Sequence, residues 1–347
     1  MELARRGLCT GQMARPTLSV VMPVCNSAVF LDETLTSIEG QTLRDIEVIC
    51  ADDGSTDDSA AIIQAHQAKD VRIRYVHQPN SGAGVARNTG LDLARGTWVA
   101  FLDSDDVYLP EFLQKMVRAA ERTGAEVAIC ESDALDMRTG AVSQYSRFPE
   151  ALASDAVTPK QAGGALFQLG LPAPYNKIFR MDYVREKGLR FQALRNSNDV
   201  YFTQVAVAKA SRIALVREVL VRYRIGRGTS IQDDLLRKPD LGKCLCTLEA
   251  LSALRRSCAA DDQLSSGGRA SLDRLCINAA YYACERALDN EALLEAVFAR
   301  YHTAIVDDWA VPEPDAAHDP ALRMKHRLLT QPSAEVFSAS HKLPVTR

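Results

Sequence analysis

Short apolar runs alternate with amphipathic stretches up to about residue 130, and this alternation restricts the fold more than any other feature. Runs that have the character of strands begin at Leu18, Ile46, Val71, Trp98 and Ala125. The stretches between them have helical spacing and are long enough for the crossover that joins two parallel strands. A chain built in this way forms a mostly parallel sheet with helices on both faces. The sequence therefore predicts an α/β fold with a Rossmann-like sheet.

The pattern becomes less regular toward the C-terminus. Residues 198–210 are predicted to form a helix, and residues 213–224 two short strands around Glu218. The Ala- and Leu-rich residues 239–302 are predicted to be helical, whereas the Pro- and Ser-containing residues after them are predicted to be loosely ordered. The earlier predictions are strands at 18–22, 46–51, 71–76, 98–102 and 125–130, and helices from a cap at Asn26 or Ser27 to Gly40, at 58–68, at 82–94 and from Pro110 onward.

The composition argues against a nucleic-acid partner, because the 347 residues carry a formal net charge of −3. The nine cysteines are odd in number and form no C-x-x-C pair, which is typical of buried, reduced thiols in a cytosolic protein and not of a zinc site. The first residues lack the apolar core of a signal peptide, and no apolar stretch has the length of a membrane span. We therefore expect a cytoplasmic protein, with at most peripheral contact at the inner face of a membrane.

Aspartates collect directly after two of the predicted strands. Asp52 and Asp53 follow the second strand, and Asp103, Asp105 and Asp106 follow the fourth in the segment FLDSDDVYLP. Ligands bind outside the carboxyl ends of the strands in an open parallel sheet, so both groups should line one cleft. Carboxylates this close repel one another unless a cation joins them or their pKa values rise. A hard divalent ion, Mg²⁺ or Mn²⁺, fits oxygen ligands of this kind and a ligand with a diphosphate.

Simpler interpretations of the same residues stay open at this point. The aspartates at 103–106 can form a solvated loop that caps the next helix, and Asp52-Asp53-Gly54 is a turn signature in its own right. The segment SGAGVAR contains G-x-G, but Arg87 stands where a dinucleotide motif has its third glycine. An EF-hand is excluded, because glycine is absent from the sixth loop position and glutamate from the twelfth.

Four segments together resemble a known family. They are LSVVMPVCNSAVFLDETLTSIEGQT, ADDGSTDDS, NSGAGVARNTGLDLARGTWVAFLDSDD and YNKIFR, and their order and spacing resemble those of the family 2 glycosyltransferases with their GT-A catalytic domain. The resemblance is dense over 18–112, patchy over 175–230 and absent over 240–347. It implies inverting transfer of a sugar from a nucleotide-sugar, most of all a UDP-sugar, to a hydroxyl of a glycan or lipid-linked acceptor. The expected setting is the synthesis of surface polysaccharide or a glycoconjugate.

The resemblance also implies which residues bind the donor. Pro23 and Val24 would wall the nucleotide base, and Asp52 and Asp53 would hold the base and the ribose. The remaining donor residues are Gly82 and Arg87 beside the base and phosphates, Asp103 and Ser104 beside the ribose and sugar, and Asp105 on a Mg²⁺ or Mn²⁺ ion that bridges the diphosphate.

Asp199 falls on the position of the family's catalytic base, the second residue of an acidic pair that opens a helix. Asn198 stands where the family usually has glutamate. A positioned carboxylate that takes the proton of the acceptor hydroxyl contributes roughly 10²- to 10⁴-fold to the rate. The dipole of the predicted helix should keep Asp199 ionised. For Asn176 and Lys177 of YNKIFR, the sequence leaves open whether their role is structural or is contact with the acceptor.

Four regions follow from the resemblance: a flexible N-terminus (1–16), a GT-A catalytic domain (17–235), a helical extension (236–305) and a loosely ordered tail (306–347). The extension either packs on the catalytic domain or forms a homodimer. The basic residues between Arg323 and Arg327 either are solvated or contact anionic lipid.

Two other functions are compatible with parts of the sequence. A non-catalytic nucleotide-sugar binder, a degenerate transferase, is suggested by Asn198. Asp103 and Asp105, with Ser104 between them, form a D-x-D motif. A phosphatase of the haloacid-dehalogenase type also has D-x-D after an apolar strand, but on its first strand and followed by Gly-Thr or Gly-Val, where this chain has Asp106-Val107.

Overall fold

A computed structural model describes residues 15–228, 237–259, 264–315 and 317–342. Residues 1–14, most of the predicted flexible N-terminus, lie outside the described residues. The described residues form a ten-stranded sheet with helices on both faces. Its strands are β1 (Leu18–Val24), β2 (Ile46–Asp53), β3 (Ile73–Gln78), β4 (Trp98–Phe101), β5 (Val107–Tyr108), β6 (Val127–Asp136), β7 (Val142–Ser146), β8 (Ala156–Val157), β9 (Lys177–Arg180) and β10 (Ile213–Ile225).

The helices of the α/β part connect these strands. They are α1 (Ala28–Glu39), α2 (Ser59–Gln67), α3 (Ala83–Leu93), α4 (Phe112–Thr123), α5 (Pro159–Ala162), which continues into a 3₁₀ helix (Gly163–Gln168), α6 (Met181–Glu186) and α7 (Val200–Lys209).

The sheet is parallel where the sequence pattern is regular and mixed beyond it. The strand order is β3-β2-β1-β4-β9-β6-β10-β5, with β7 beside β6 and β8 beside β10. The pairs from β3 to β4 are parallel, whereas β9 lies antiparallel between β4 and β6. The α/β fold predicted from the alternation is confirmed.

Two strand boundaries differ from the predictions for physical reasons. β1 continues through Pro23, which pairs with Ala51, although its pairing with β4 ends at Val21. A proline without an N–H is tolerated there because one neighbouring strand is already missing. The predicted pair of strands around Glu218 is one strand, β10, whose register shifts between Val216 and Val219. A bulge, not a turn, therefore accounts for the polar residues in the middle of this run.

The C-terminal part consists of helices that share a core with the sheet. Buried residues of the C-terminal helices, including Leu329 and Phe337, belong to the same apolar cluster as Phe101 of β4 and Phe202 of α7. The helices are α8 (Leu241–Ala259), α9 (Ser266–Glu285), α10 (Glu291–Thr303), followed by a π-helical turn (Ala304–Asp308), α11 (Pro320–Leu329) and α12 (Ala334–Lys342).

The expectation of a loosely ordered tail is wrong for its described part. The Asp319 side chain caps α11 by accepting a hydrogen bond from the Leu322 amide, and Pro320 occupies the first turn of the helix. Leu329 and Phe337 are fully buried. The Pro and Ser residues that suggested disorder mark helix ends, while the buried apolar side chains stabilise the segment by packing. Among the residues that the structure describes, no helix is long and apolar enough to cross a membrane.

Candidate active site

Asp52 and Asp53 end β2 at the edge of the sheet that the sequence predicted. Asp52 is almost fully buried and accepts hydrogen bonds from the Ser55 amide at 2.9 Å and the Tyr75 hydroxyl at 2.8 Å. Burial would raise the pKa of Asp52, but the hydrogen bonds from Ser55, Tyr75 and His77 hold it below the ordinary value. Asp52 is therefore an ionised acceptor at neutral pH.

Asp53 fixes the glycine-rich loop that precedes α3. Its carboxylate accepts from the amides of Ser81 and Gly82, each at 2.8 Å, and from the Gln78 side chain at 2.7 Å. Gly82 has a φ of 93°, in the region where residues other than glycine are strained. The loop can therefore turn into α3 only with glycine at this position, and Asp53 holds that turn beside the end of β2.

Pro23 and Val24, which the resemblance placed against a nucleotide base, are both buried in β1. Val24 pairs with Asp52 in the parallel register of β1 and β2. The chain becomes exposed immediately afterwards at Cys25, whose thiol accepts a hydrogen bond from the Asn80 side chain at 3.4 Å. Partial burial of the thiol, and then the charges of Asp53, Asp52 and Asp57, raise the pKa of Cys25. Cys25 is a residue of this edge that the sequence reasoning did not select.

Arg87 joins the D-x-D segment to the turn before α7. Its guanidinium donates to Asp103 at 2.7 Å and to the Asn198 side chain at 2.8 Å. The Arg87 side chain is only 8% exposed, and it lies 5.4 Å from the centre of the Phe191 ring. Asn198, where glutamate was expected, supplies a neutral acceptor to this arginine. The substitution thus leaves the contact between the two segments in place.

Two further arginines contact the rest of the acidic segment. Arg227 forms an ion pair with Asp105. Asp106 is fully buried and accepts from the backbone amide of Arg224 at 2.9 Å, and the Arg224 guanidinium donates to the Asp105 carbonyl oxygen at 2.8 Å. Burial, and then the charge of Asp103, raises the pKa of Asp106 well above its ordinary value. Asp106 therefore serves as an internal anchor of the segment.

Ser104 lies between Asp103 and Asp105 and faces α1. Its hydroxyl is 2.7 Å from the hydroxyl of Ser27, so it connects the D-x-D segment to the residue that precedes that helix.

Each of the outer aspartates at the two strand ends has a partner within the protein. Hydrogen-bond donors hold Asp52 and Asp53, while arginines neutralise Asp103 and Asp105. Within the described ranges, no group of three or more His, Cys, Asp or Glu side chains is placed to hold a metal ion. The negative charge of Asp103 and Asp105 is therefore balanced by arginines of the protein itself. A pairing of Arg87 with a carboxylate of the cleft was one of the two roles that the sequence left open for it, whereas Arg227 lies outside every motif.

Asp199 is the N-cap residue of α7, but its side chain makes no capping hydrogen bond. Burial raises its pKa; Arg87 and Lys177 act in the opposite direction. Desolvation of the charged form thus acts against the helix dipole that was expected to favour ionised Asp199.

Lys177 supports the segment next to Asp199. Its ammonium group donates to the carbonyl oxygens of Leu171 and Ala173 and to the Asn176 side chain, each at 2.8 Å. Complete burial lowers the pKa of Lys177 to about 7. Of the two roles left open for Lys177, these contacts favour the structural one.

The C-terminal helices position the turn that carries Asp199. The Asn196 side chain donates to the carbonyl oxygen of Lys243 at 3.1 Å, and the hydroxyls of Ser197 and Thr247 are 2.7 Å apart. Lys243 and Thr247 belong to α8, so the extension lies directly behind the Asp199 turn. The sequence could not predict these contacts, because the Ala- and Leu-rich sequence of α8 does not differ from that of a helix that only packs in the core.

The strand order, with acidic segments after β2 and β4, defines the GT-A fold of the nucleotide-diphospho-sugar transferases. Solved structures show the same fold. TarS residues 1–349 from S. aureus, in complex with UDP-GlcNAc, match 93% of this chain and 92% of their own with a TM-score of 0.55 and 19% identity. The mannosyltransferase PcManGT from Pyrobaculum calidifontis, in complex with GDP-Man and Mn²⁺, matches 95% and 87% with a TM-score of 0.52 and 17% identity.

Residues 19–187 match the family described as glycosyl transferase family 2. "Uncharacterized glycosyltransferase EpsJ" of Bacillus subtilis (strain 168) is 31% identical over 214 residues, which are 60% of this chain and 61% of that protein. "Succinoglycan biosynthesis protein ExoO" of Rhizobium meliloti (strain 1021) is 30% identical over 218 residues, 62% of each chain. The chain thus matches about three fifths of the length of these relatives. The match over residues 19–187 and these relatives support the resemblance to glycosyltransferase family 2 that the sequence motifs predicted.

Proposed function

We propose that the protein transfers a sugar from a nucleoside diphosphate to an acceptor hydroxyl with inversion. The observation that carries this proposal is the bridge from Asp103 through Arg87 to Asn198. It holds the segment assigned to the donor against the turn assigned to the catalytic base. A transferase needs these two parts at a fixed separation, because the acceptor oxygen must attack the anomeric carbon from the side opposite the leaving diphosphate.

We propose a UDP-sugar as the donor. The TarS structure that shares this fold contains UDP-GlcNAc, and the sites of this chain offer fitting partners. Asp52 is held ionised by its hydrogen bonds and can accept from the N–H of a base or a ribose hydroxyl. Asp53 anchors the loop that carries Gly82, and we propose that this loop borders the base and the phosphates while Pro23 and Val24 wall the base.

We propose that Asp105 holds a divalent ion, Mg²⁺ or Mn²⁺, when the donor is bound. PcManGT, which shares the fold, contains Mn²⁺. Asp105 offers one carboxylate, and Mg²⁺-type sites commonly combine one or two carboxylates with phosphate oxygens. Arg227 pairs with the Asp105 carboxylate, so binding of the ion requires that carboxylate to exchange the arginine for the metal. A bound ion would stabilise the charge that develops on the leaving diphosphate.

We propose Asp199 as the general base. A carboxyl group whose pKa is raised by burial accepts a proton more readily than an ordinary aspartate, provided that it is still ionised at the working pH. Arg87 and Lys177 limit the rise. The degenerate-transferase alternative rests only on Asn198, whose side chain is engaged by Arg87 in the present arrangement. The phosphatase alternative requires a free nucleophilic Asp103, which is paired with the same arginine.

We propose a glycan or lipid-linked acceptor, in keeping with the relative named for succinoglycan biosynthesis. A cytoplasmic location, a homodimer and peripheral membrane contact stay predictions. Arg323 and Arg327 both pair with Glu313, which leaves less free charge on this segment for anionic lipid than the sequence suggested. Lys325 lies 4.5 Å from the centre of the Tyr282 ring.

The function is tested by the melting temperature with UDP, GDP and dTDP, each with and without Mn²⁺, followed by a screen of the matching nucleotide-sugars for slow hydrolysis. A donor nucleotide that binds only the folded state must raise the melting temperature. We expect UDP with Mn²⁺ to give the largest rise and a UDP-sugar to be hydrolysed. The absence of both a shift and hydrolysis with every nucleotide would refute the proposal.

A further inference from the structure

Three tyrosines stack in a row at the carboxyl-end edge of the sheet. The ring of Tyr223 lies between those of Tyr145 and Tyr175, with ring centres 5.1 and 5.2 Å apart and planes inclined by 13° in both pairs. These distances are those of favourable offset stacking. The three residues come from β7, β10 and the segment before β9, so the row exists only in the folded chain.

The row is continuous with the candidate active site. Arg227 lies 5.9 Å from the centre of the Tyr223 ring and pairs with Asp105. The neighbouring Arg224 donates to the Asp105 carbonyl oxygen. Burial raises the pKa of Tyr223, and the charges of Asp106, Asp103 and Asp199 raise it further after that of Tyr145. The D-x-D segment and the proposed base are thus near Tyr223, the middle ring of the row.

The Tyr145 end of the row reaches the surface. Tyr175 is 1% exposed, whereas Tyr145 is 36% exposed. One face of the Tyr145 ring rests on Tyr223, and among the described residues no other ring stacks on it. The flanking β7 residues, including Ser143, are exposed and mainly polar. Core packing explains Tyr175 but gives no reason for a large ring at position 145, where a small polar residue would avoid exposed apolar area.

We propose that the exposed face of Tyr145 is a platform for a pyranose ring of the acceptor glycan. This inference rests on the proposed function and adds the chemistry by which the acceptor is held. The C–H groups on one face of a pyranose form an apolar patch that packs flat on an aromatic ring, while its hydroxyls stay in contact with water and polar side chains such as Ser143. Because Tyr223 and Tyr175 hold Tyr145 in place, little side-chain freedom is lost on binding.

The test uses saturation-transfer NMR with the full-length protein and methyl β-D-glucopyranoside, whose axial hydrogens lie on its ring faces, with and without UDP and Mn²⁺. The variants are Tyr145→Leu, which keeps an apolar side chain without a ring, and Tyr145→Trp, which keeps a ring. Tyr282→Leu, at a tyrosine of α9 that is 45% exposed, is the matched control. Circular dichroism and the melting temperature show whether each variant is folded.

We expect saturation to reach the axial C–H protons in the wild type, Tyr145→Trp and Tyr282→Leu, and the dissociation constant to rise about tenfold in Tyr145→Leu, equivalent to about 1.4 kcal/mol. Unchanged transfer in a folded Tyr145→Leu, or none in the wild type, would overturn the platform. The UDP-induced rise in melting temperature should be equal in all four proteins. If UDP does not raise the melting temperature of the wild type, the proposed function is refuted instead. Failure of the proposed function can thus be distinguished from failure of the proposed platform.

Discussion

Arg87 donates to Asp103 at 2.7 Å while its other terminal nitrogen donates to Asn198 at 2.8 Å, so one buried guanidinium spans the two halves of the candidate site. Asp103 follows a strand of the parallel half of the sheet, and Asn198 precedes a helix that packs on the C-terminal extension. A planar guanidinium can serve two acceptors in fixed directions, which a lysine ammonium on a flexible stem does not reproduce.

The change Arg87→Lys should therefore weaken both stability and donor turnover. One hydrogen bond to a charged group is lost, so we expect the free energy of unfolding to fall by about 1.5–3 kcal/mol. Urea denaturation measures this loss, and Arg118→Lys, at an exposed position of α4, is the control. Equal midpoints and equal UDP-sugar turnover for Arg87→Lys and the wild type would show that the bridge has no role.

The change Asp199→Asn should strongly reduce sugar transfer while leaving donor binding intact. The amide cannot take the acceptor proton, so the transfer rate should fall roughly 10²- to 10⁴-fold. The UDP-induced rise in melting temperature should stay that of the wild type. Asp289→Asn, at an exposed position, is the control. A variant with full transfer activity would remove Asp199 from the mechanism.

The pH dependence of transfer tests the same assignment. Because burial raises the pKa of Asp199, the rate should fall on acidification at a higher pH than for an ordinary aspartate. Lys177 lowers this pKa when charged, and its own pKa is about 7. Lys177→Met should therefore move the acidic limb of the pH–rate profile to higher pH. An acidic limb that stays in place in a folded variant would contradict the electrostatic link.

Asp106 should make the protein less stable as the pH rises. Its folded-state pKa is raised well above the ordinary value by burial and by Asp103. The stabilisation is thus complete below the unfolded pKa and is lost as the pH rises through the folded one. Asp106→Asn keeps an oxygen for the Arg224 amide and cannot ionise. As the pH is raised from acidic to neutral, the urea midpoint of Asp106→Asn should increase relative to that of the wild type. A difference between the two midpoints that does not change with pH would refute this.

Gly84 marks a close approach between α3 and the segment before Asp199. A Cβ at this position would collide with the carbonyl oxygen of Gln192 and lie 3.0 Å from the Asn198 Cβ. Gly84→Ala should therefore cost about 1–3 kcal/mol of stability and reduce transfer by displacing Asn198. Gly164→Ala, where a Cβ would meet nothing within 4 Å, is the control. Equal thermal stability of both variants and the wild type would contradict this packing.

The local features of the chain were accessible without the fold. The alternation of apolar runs and helical stretches predicted β1 to β4 with their helices, because side-chain periodicity is set by each element alone. The aspartates after β2 and β4 were identified for the same reason: a polar group just past a buried run must lie at a strand end. The predicted end of β1 before Pro23 and the predicted division of β10 at Glu218 were wrong, because pairing with neighbouring strands decides where a strand ends.

Partners distant in sequence could not be derived in this way. Asn198 is 111 positions from Arg87, and Arg227 is still farther from Asp105 in sequence, so no motif contains either pair. The order of the tail likewise depends on Leu329 and Phe337 meeting a core supplied by other helices.

The sequence by itself determined the class of fold, the resemblance to a family and the residues at the strand ends, because these depend on local pattern and spacing. Only the tertiary structure decided what neutralises those aspartates, how burial sets the pKa of Asp199 and Asp106, and that three tyrosines form one row. Charge balance, desolvation and stacking depend on distances between side chains, and those distances exist only once the chain has folded.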